Sequence, residues 1–277
     1  MTQPSCMQIP GPSRRALLAD VYKPDPRLSL HTAVILLHGG AWRFGSRADM
    51  APYAKILSDL GFLAIAAEYR LLGEAAYPAQ LDDVRDVIAW VRSHAGDLGI
   101  DASKIAVEGF SAGGHLALIA AGSAAARPDS AIAAVVAFFA PPRLDGPTPP
   151  GLPSLAEGLL GPEPSAAGIR AASPVHRIGT GFPPTFLLGG MADFLVPPAA
   201  TLELFHALVA AQADVDLHLY HGHLHEFALL PSMLGPVQAE VALFLKRTVV
   251  DPAGHRDENR QLNPFARPGW PGPPPGA

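Results

Sequence analysis

The residues Val107-Glu108-Gly109-Phe110-Ser111-Ala112-Gly113-Gly114 constrain this chain more than any other stretch. A short apolar run, Lys104–Val107, leads into them, and a run of small residues suited to a helix, His115–Ala126, leads out. A strand that passes directly into a helix through G-x-S-x-G must turn sharply. Backbone and helix then run so close that the positions two before and two after the serine tolerate almost no side chain. The turn lifts the Ser111 hydroxyl clear of the sheet and leaves the first N–H groups of the helix free beside it. The pattern alone is short enough to occur by chance, so what accompanies it along the chain decides its meaning.

Two further motifs accompany it. The first is His38-Gly39-Gly40-Ala41-Trp42, directly after the apolar run Ala33–Leu37. A Gly-Gly turn at the end of a strand lets successive N–H groups point into a site without a Cβ in the way. Such donors suit the oxyanion that acyl transfer generates. The donors are assigned to the N–H groups of Gly40, Ala41 and Ala112, and His38 is read as the structural anchor of the turn. The second is a pair of loops, Gly190–Pro197 and Gly222–Phe227, each after a strand-like run, Thr185–Leu188 and Asp216–Tyr220. They supply Asp193 and His225, so the chain order is serine, aspartate, histidine, as in α/β-hydrolases. A serine hydroxyl needs a neutral imidazole to take its proton, and the imidazole needs a buried carboxylate to fix its tautomer.

With these residues in place, the chain resembles the HGGxW-bearing esterase group of the α/β-hydrolase superfamily. That group takes in hormone-sensitive-lipase-like esterases, relatives of the acetylxylan and feruloyl esterases, and kynurenine formamidases. Ala67–Leu71, Tyr77–Asp83, Gly99–Asp101 and Ala172–Val175 read like the same group, and the likeness runs from about Leu18 to Val250. The resemblance implies a serine-dependent hydrolase of short-acyl or small esters working through a Ser111 acyl-enzyme, with His225 as base and Asp193 as orienting acid. It places Trp42, Phe110 and Phe194 around the substrate pocket. Arylformamidase activity is the alternative. A non-catalytic small-molecule receptor on the same scaffold would lack a member of the triad, and none is missing. His223 competes with His225 for the role of base, and the family's base loop, with its histidine two before an aromatic, favours His225. Glu108 departs from the apolar or small residue expected before Gly109.

The rest of the chain gives the frame. Near-continuous apolar runs recur at Thr32–Leu37, Phe62–Ala67, Lys104–Val107, Ala133–Phe139 and Thr185–Leu188, joined by a more alternating one at Asp216–Tyr220 and an edge strand at Ala16–Tyr22. Unbroken apolarity is what a strand buried on both faces requires. Helical segments separate them at Met50–Leu60, Gln80–His94, Ala112–Ala126, Ala199–Ala211 and Pro236–Lys246. The alternation predicts one α/β-hydrolase domain over residues 15–250, a mostly parallel central sheet with helices on both faces and ligands at the strands' C-terminal ends. Residues 141–173, rich in Pro and Gly, are expected to form a small cap insertion. Residues 1–14 and the Pro-rich 251–277 are expected to be flexible or disordered tails.

Composition narrows the partners. With 49% apolar residues among 277 and a net charge of -5, the chain suits a globular enzyme, not a ligand for nucleic acid or an anionic membrane. The single cysteine, Cys6, permits no intramolecular disulfide. There is no signal-like N-terminus, and no apolar run reaches the roughly 18 residues a membrane span requires. A cytoplasmic monomer or homodimer acting on a small-molecule ester is expected, with no cofactor. His221, His223 and His225 alternate as zinc ligands can, but no carboxylate pair or cysteine completes a site, so no metal is expected. The fifteen or so residues before the first strand leave no room for a large N-terminal cap, so the pocket is expected to be shallow.

Overall fold

The apolar runs become the strands of one eight-stranded sheet. The computed structural model describes residues 4–10, 16–122, 128–146 and 153–263. In chain order the elements are β1 (Ser5–Ile9), β2 (Leu17–Tyr22), β3 (Ala33–Leu37), α1 (Ala51–Asp59), β4 (Leu63–Ala67), α2 (Ala79–Ser93), α3 (Ala95–Leu98), β5 (Ile105–Phe110) and α4 (Ala112–Ala121). There follow β6 (Ala134–Phe138), α5 (Leu155–Leu160), α6 (Ala166–Ala171), β7 (Thr185–Gly190), α7 (Pro198–Ala210), β8 (Val215–Tyr220), α8 (Pro231–Leu245) and α9 (Pro252–Leu262). The strand order is β1-β2-β4-β3-β5-β6-β7-β8. β2 runs antiparallel to both of its neighbours, β1 and β4, and every other neighbouring pair is parallel.

Side chains alternate across each strand, so one run feeds two cores. Ile35, Leu37, Ile65, Val107 and Leu187 face one layer, which holds Val84 and Ile88 of α2, Leu116 and Ile119 of α4, and Leu204 and Leu208 of α7. Val34, Leu36, Ala106, Val136 and Phe186 face the other, which holds Tyr53 and Leu57 of α1 and Val237, Val241 and Phe244 of α8. The three site motifs follow β3, β5, β7 and β8, all at the C-terminal ends of parallel strands.

Three expectations need correction. Residues 1–14 are not simply a tail. Ser5–Ile9 forms the edge strand β1, paired from Ser5 with Val21 to Ile9 with Leu17. Only Met7 and Ile9 turn inward there, too thin a signal between Pro4 and Pro10 to read as a strand. Residues 252–262 form α9, opened by Pro252 at its first position and capped by Asp251, whose Oδ1 accepts from Gly254 N at 2.9 Å. No residue of α9 is buried, so local capping, not packing, marks it, while 264–277 lie outside the described residues. Finally, α8 begins at Pro231, not Pro236. A first-turn proline misled the reading, because Pro236 sits inside the helix and leaves the carbonyl four residues back without its usual partner.

The loop after β4 is tied to α2 by a buried ion pair. Arg70 Nε and Nη2 donate to Asp83 at 2.7–3.0 Å, and the Arg70 backbone N–H adds a third contact at 2.8 Å. The Asp83 side chain is 1% exposed and Arg70 21%. Breaking such a pair strands a charge in the interior, which costs far more than the pair itself contributes. Arg70→Met should therefore lower the unfolding free energy by about 3 kcal/mol in urea denaturation. Arg70→Met with Asp83→Leu should recover most of that loss.

Candidate active site

The turn after β5 has the geometry its residues demand. Ser111 sits at φ 50°, ψ -111°, a conformation that a non-glycine residue holds only when its surroundings enforce it. The enforcement is visible at the two glycines. A Cβ on Gly109 would lie 2.3 Å from the backbone of Gly113, and one on Gly113 would lie 2.3 Å from the Leu37 carbonyl oxygen. Ser111 N donates to Phe138 O at 2.8 Å, which fixes the turn to the end of β6.

The histidine and the aspartate arrive from two other strand ends. His225 Nε2 lies 3.0 Å from Ser111 Oγ, and its Nδ1 lies 2.7 Å from Asp193 Oδ2. Asp193 Oδ1 accepts from the N–H groups of Leu195 and Val196, each at 2.9 Å. The Asp193 side chain is fully buried and that of His225 is 11% exposed. A carboxyl oxygen beside Nδ1 favours the imidazole tautomer that carries its hydrogen there, with Nε2 facing the Ser111 hydroxyl. His223 is not part of the relay; its ring stacks on Phe227 with centroids 4.6 Å apart. Among the described residues, no group of three His, Cys, Asp or Glu is arranged to hold a metal.

The loop after β3 closes the other side. Gly40, Ala41 and Trp42 all have positive φ, at 107°, 50° and 61°. This run turns the chain back so that Phe44 N and Arg43 N donate to Gly40 O. Gly40, Ala41 and Ala112 line the same cavity as Ser111 and His225, and their N–H groups meet no acceptor among the described residues. His38 holds the loop from behind. Its ring stacks on Tyr69 at 4.3 Å, Nδ1 lies 2.7 Å from Gly39 O, and Tyr69 Oη donates to His38 O at 2.8 Å. Burial pushes the His38 imidazole below its ordinary range.

The cavity measures about 680 Å³. Trp42 and Phe194 line it as expected, with Phe44, Leu195, Val196, Leu224 and the segment Pro153–Leu155. Phe110 does not. Its side chain points below the turn into the core, packed on Tyr53 at 4.5 Å and Phe138 at 4.6 Å. Alternation along β5 explains this: Phe110 shares the face of Ala106, which belongs to the α1/α8 layer. The cap region carries α5 and α6, with 147–152 outside the described residues. Arg43 Nη2 donates to Gly158 O of α5 at 2.9 Å. At the far end, His115 of α4 lies with Nε2 2.7 Å from Ala172 O, and burial lowers its pKa to about 4. Arg43, Glu226 and His115 escaped the sequence reading. The signals were a charge inside each of two motif loops and one polar residue in an otherwise apolar helix.

Glu108 faces away from the cavity and is fully buried. Its Oε1 accepts from Gln238 Nε2 of α8 at 2.6 Å, while Oε2 and the nearby Tyr53 Oη meet no hydrogen-bond partner among the described residues. Desolvation raises its pKa to about 8.

A mostly parallel sheet with a Ser–His–Asp relay at its strand ends defines the class: this is an α/β-hydrolase fold. The BD-FAE family model matches residues 19–208, and the chain belongs to that family. It is 34% identical over 68% of its length to "Probable carboxylic ester hydrolase LipM" of Mycobacterium tuberculosis and covers 47% of that protein. It is 31% identical over 83% of its length to "Esterase LipQ" of the same organism, of which it covers 59%. The chain thus spans roughly half the length of these curated relatives. Among solved structures, a Thermogutta terrifontis esterase, Est2, superposes with a TM-score of 0.73 at 26% identity, covering 91% of this chain and 93% of that one.

The Glu108 environment has a measurable consequence. The folded protein holds this proton up to about pH 8, whereas the unfolded chain releases it near the ordinary value of 4.5. The native state binds more protons across that window, so the Glu108 contribution to stability falls as pH rises through it and levels off above about 8. Glu108→Gln should flatten this decline and melt about 2–5 °C above wild type at pH 8.5, with little difference at pH 5, by scanning fluorimetry.

Proposed function

We propose that this protein is a carboxylic-ester hydrolase that works through an acyl-enzyme on Ser111. The observation that carries the reading is His225 bridging Ser111 and Asp193 at hydrogen-bond distance on both sides. His225 Nε2 takes the hydroxyl proton as Ser111 Oγ attacks the ester carbonyl carbon, and the N–H groups of Gly40, Ala41 and Ala112 receive the negative charge that develops on the carbonyl oxygen. The imidazolium then gives its proton to the departing alcohol. Water, deprotonated by His225, attacks the acyl-enzyme, and the carboxylic acid leaves as Ser111 recovers its proton.

Relatives support the ester class, since the mycobacterial proteins are named as ester hydrolases. Est2 has been solved with propionate and with butyrate bound and in a form phosphorylated by paraoxon. We take the acyl group here to be short as well, with the remaining cavity holding the alcohol part. A cavity of about 680 Å³ lies in the range that accommodates a small organic ligand.

Ser111→Ala and His225→Ala should each lower kcat by on the order of 10⁴-fold with the fold intact by circular dichroism, because the relay acts as a unit. His223→Ala should stay within about tenfold of wild type, since it lies outside that relay. Paraoxon should leave a phosphoryl adduct on the peptide containing Ser111, and no adduct there would reject the reading. Across p-nitrophenyl esters, kcat/KM should peak between acetyl and butyryl and fall beyond roughly six to eight carbons, because each further CH₂ adds only about 0.8 kcal/mol where it is buried and nothing where it is not. Faster turnover of N-formylkynurenine than of every ester would replace ester by formamide hydrolysis.

A further inference from the structure

One charged side chain in the cavity wall has no part in the chemistry above. Glu226 directly follows His225 and holds a left-handed backbone, φ 59° and ψ 17°. Its carboxylate reaches back over Gly39. Oε1 lies 3.3 Å from the point that a Cβ on Gly39 would occupy, and that same point lies 3.5 Å from Ser111 Cβ. The carboxylate therefore stands beside the nucleophile, in the wall of the same cavity. No donor or cation among the described residues pairs with it. Arg43 also lines the cavity, but its guanidinium is engaged with the Gly158 carbonyl of the cap. The remaining wall is largely apolar and includes three aromatic rings, Trp42, Phe44 and Phe194, of which Phe44 is 70% and Phe194 62% exposed.

An unpaired carboxylate among aromatic faces matches one kind of ligand charge. A weakly hydrated cation, such as a quaternary ammonium, gains attraction from ring faces and from the carboxylate while giving up little hydration. An anionic ester meets like-charge repulsion at the reacting centre instead. We propose that Glu226 is a specificity-determining residue that directs this site towards esters bearing a quaternary-ammonium-type cation and against esters bearing a carboxylate. The proposal rests on the reading of the cavity as the ester site around Ser111.

The test compares butyrylcholine with its uncharged isostere, 3,3-dimethylbutyl butyrate. Binding is measured by calorimetry to the full-length Ser111→Ala protein, so that no turnover intervenes. The cationic ester should bind about tenfold more tightly at low ionic strength, and the advantage should shrink towards unity in about 0.5 M salt as the carboxylate is screened. It should disappear in Ser111→Ala with Glu226→Gln, while affinity for the isostere persists. Equal affinities in the Ser111→Ala protein, an advantage that survives Glu226→Gln, or no binding of either ester would each overturn the proposal. If Glu226→Gln fails to fold, the salt dependence of the pair in the Ser111→Ala protein decides. Failure of the ester reading itself would look different: the unmutated protein would leave neutral p-nitrophenyl esters intact, and paraoxon would not label Ser111.

Discussion

The close passage of helix α4 across the ends of β3 and β5 is the contact on which the rest of the structure depends. With Gly109 against Gly113, and Gly113 against the Leu37 carbonyl, three backbone segments share a space that no side chain enters. That contact sets Ser111 in its strained conformation, and it also fixes Ser111 relative to the Gly40–Trp42 loop, which begins three residues after Leu37, the last residue of β3. Ser111 and the N–H groups of that loop, the proposed nucleophile and donors, are thus positioned by one packing event. A rigid scaffold of this kind is what preorganised charge stabilisation requires, because donors that have to move into place lose part of their effect.

The two acidic groups nearest the turn show how environment separates roles. Asp193 is buried and accepts three hydrogen bonds, from Leu195, Val196 and His225, so both of its oxygens are satisfied. Glu108 is equally buried but receives one donor from Gln238, and its second oxygen is left alone. Desolvation prevails there, and the group keeps its proton. The two carboxyls thus differ in the number of donors they meet, although both lie within a few residues of strand ends. Glu226 is a third case, an exposed carboxylate in the cavity lining that meets no hydrogen-bond donor among the described residues.

The described part of the segment between β6 and β7 is tied to the sheet by side chains of the elements beneath it. His115 and Arg43, on the helix and the loop that flank the nucleophile, reach the carbonyls of Ala172 and Gly158. Ser173 Oγ accepts from Leu144 N and donates to Ile169 O, which joins the base of α6 to the chain leaving β6. Residues from α4, the loop after β3 and the segment between β6 and β7 therefore belong to one hydrogen-bonded unit, although they lie far apart in sequence.

By itself the sequence determined the layered sheet, the alternation of strands and helices from β2 to α8, and Ser111, Asp193 and His225 as the residues to watch. Each of these rests on local rules: apolar runs for strands buried on both faces, glycines where backbones touch, and polar residues after strand ends. It was silent wherever a residue's role depends on direction. Phe110 adjoins the nucleophile yet points into the core, because the alternation of β5 assigns it to the opposite face. Ser5–Ile9 reads as tail because an edge strand shows the core only every second residue. The destinations of Glu108, Arg43, His115 and Glu226 were set by neighbours from other elements, Gln238, Gly158, Ala172 and Gly39. Tertiary packing alone brings such partners together, since no periodicity links positions separated by up to 187 residues, as Gly39 and Glu226 are.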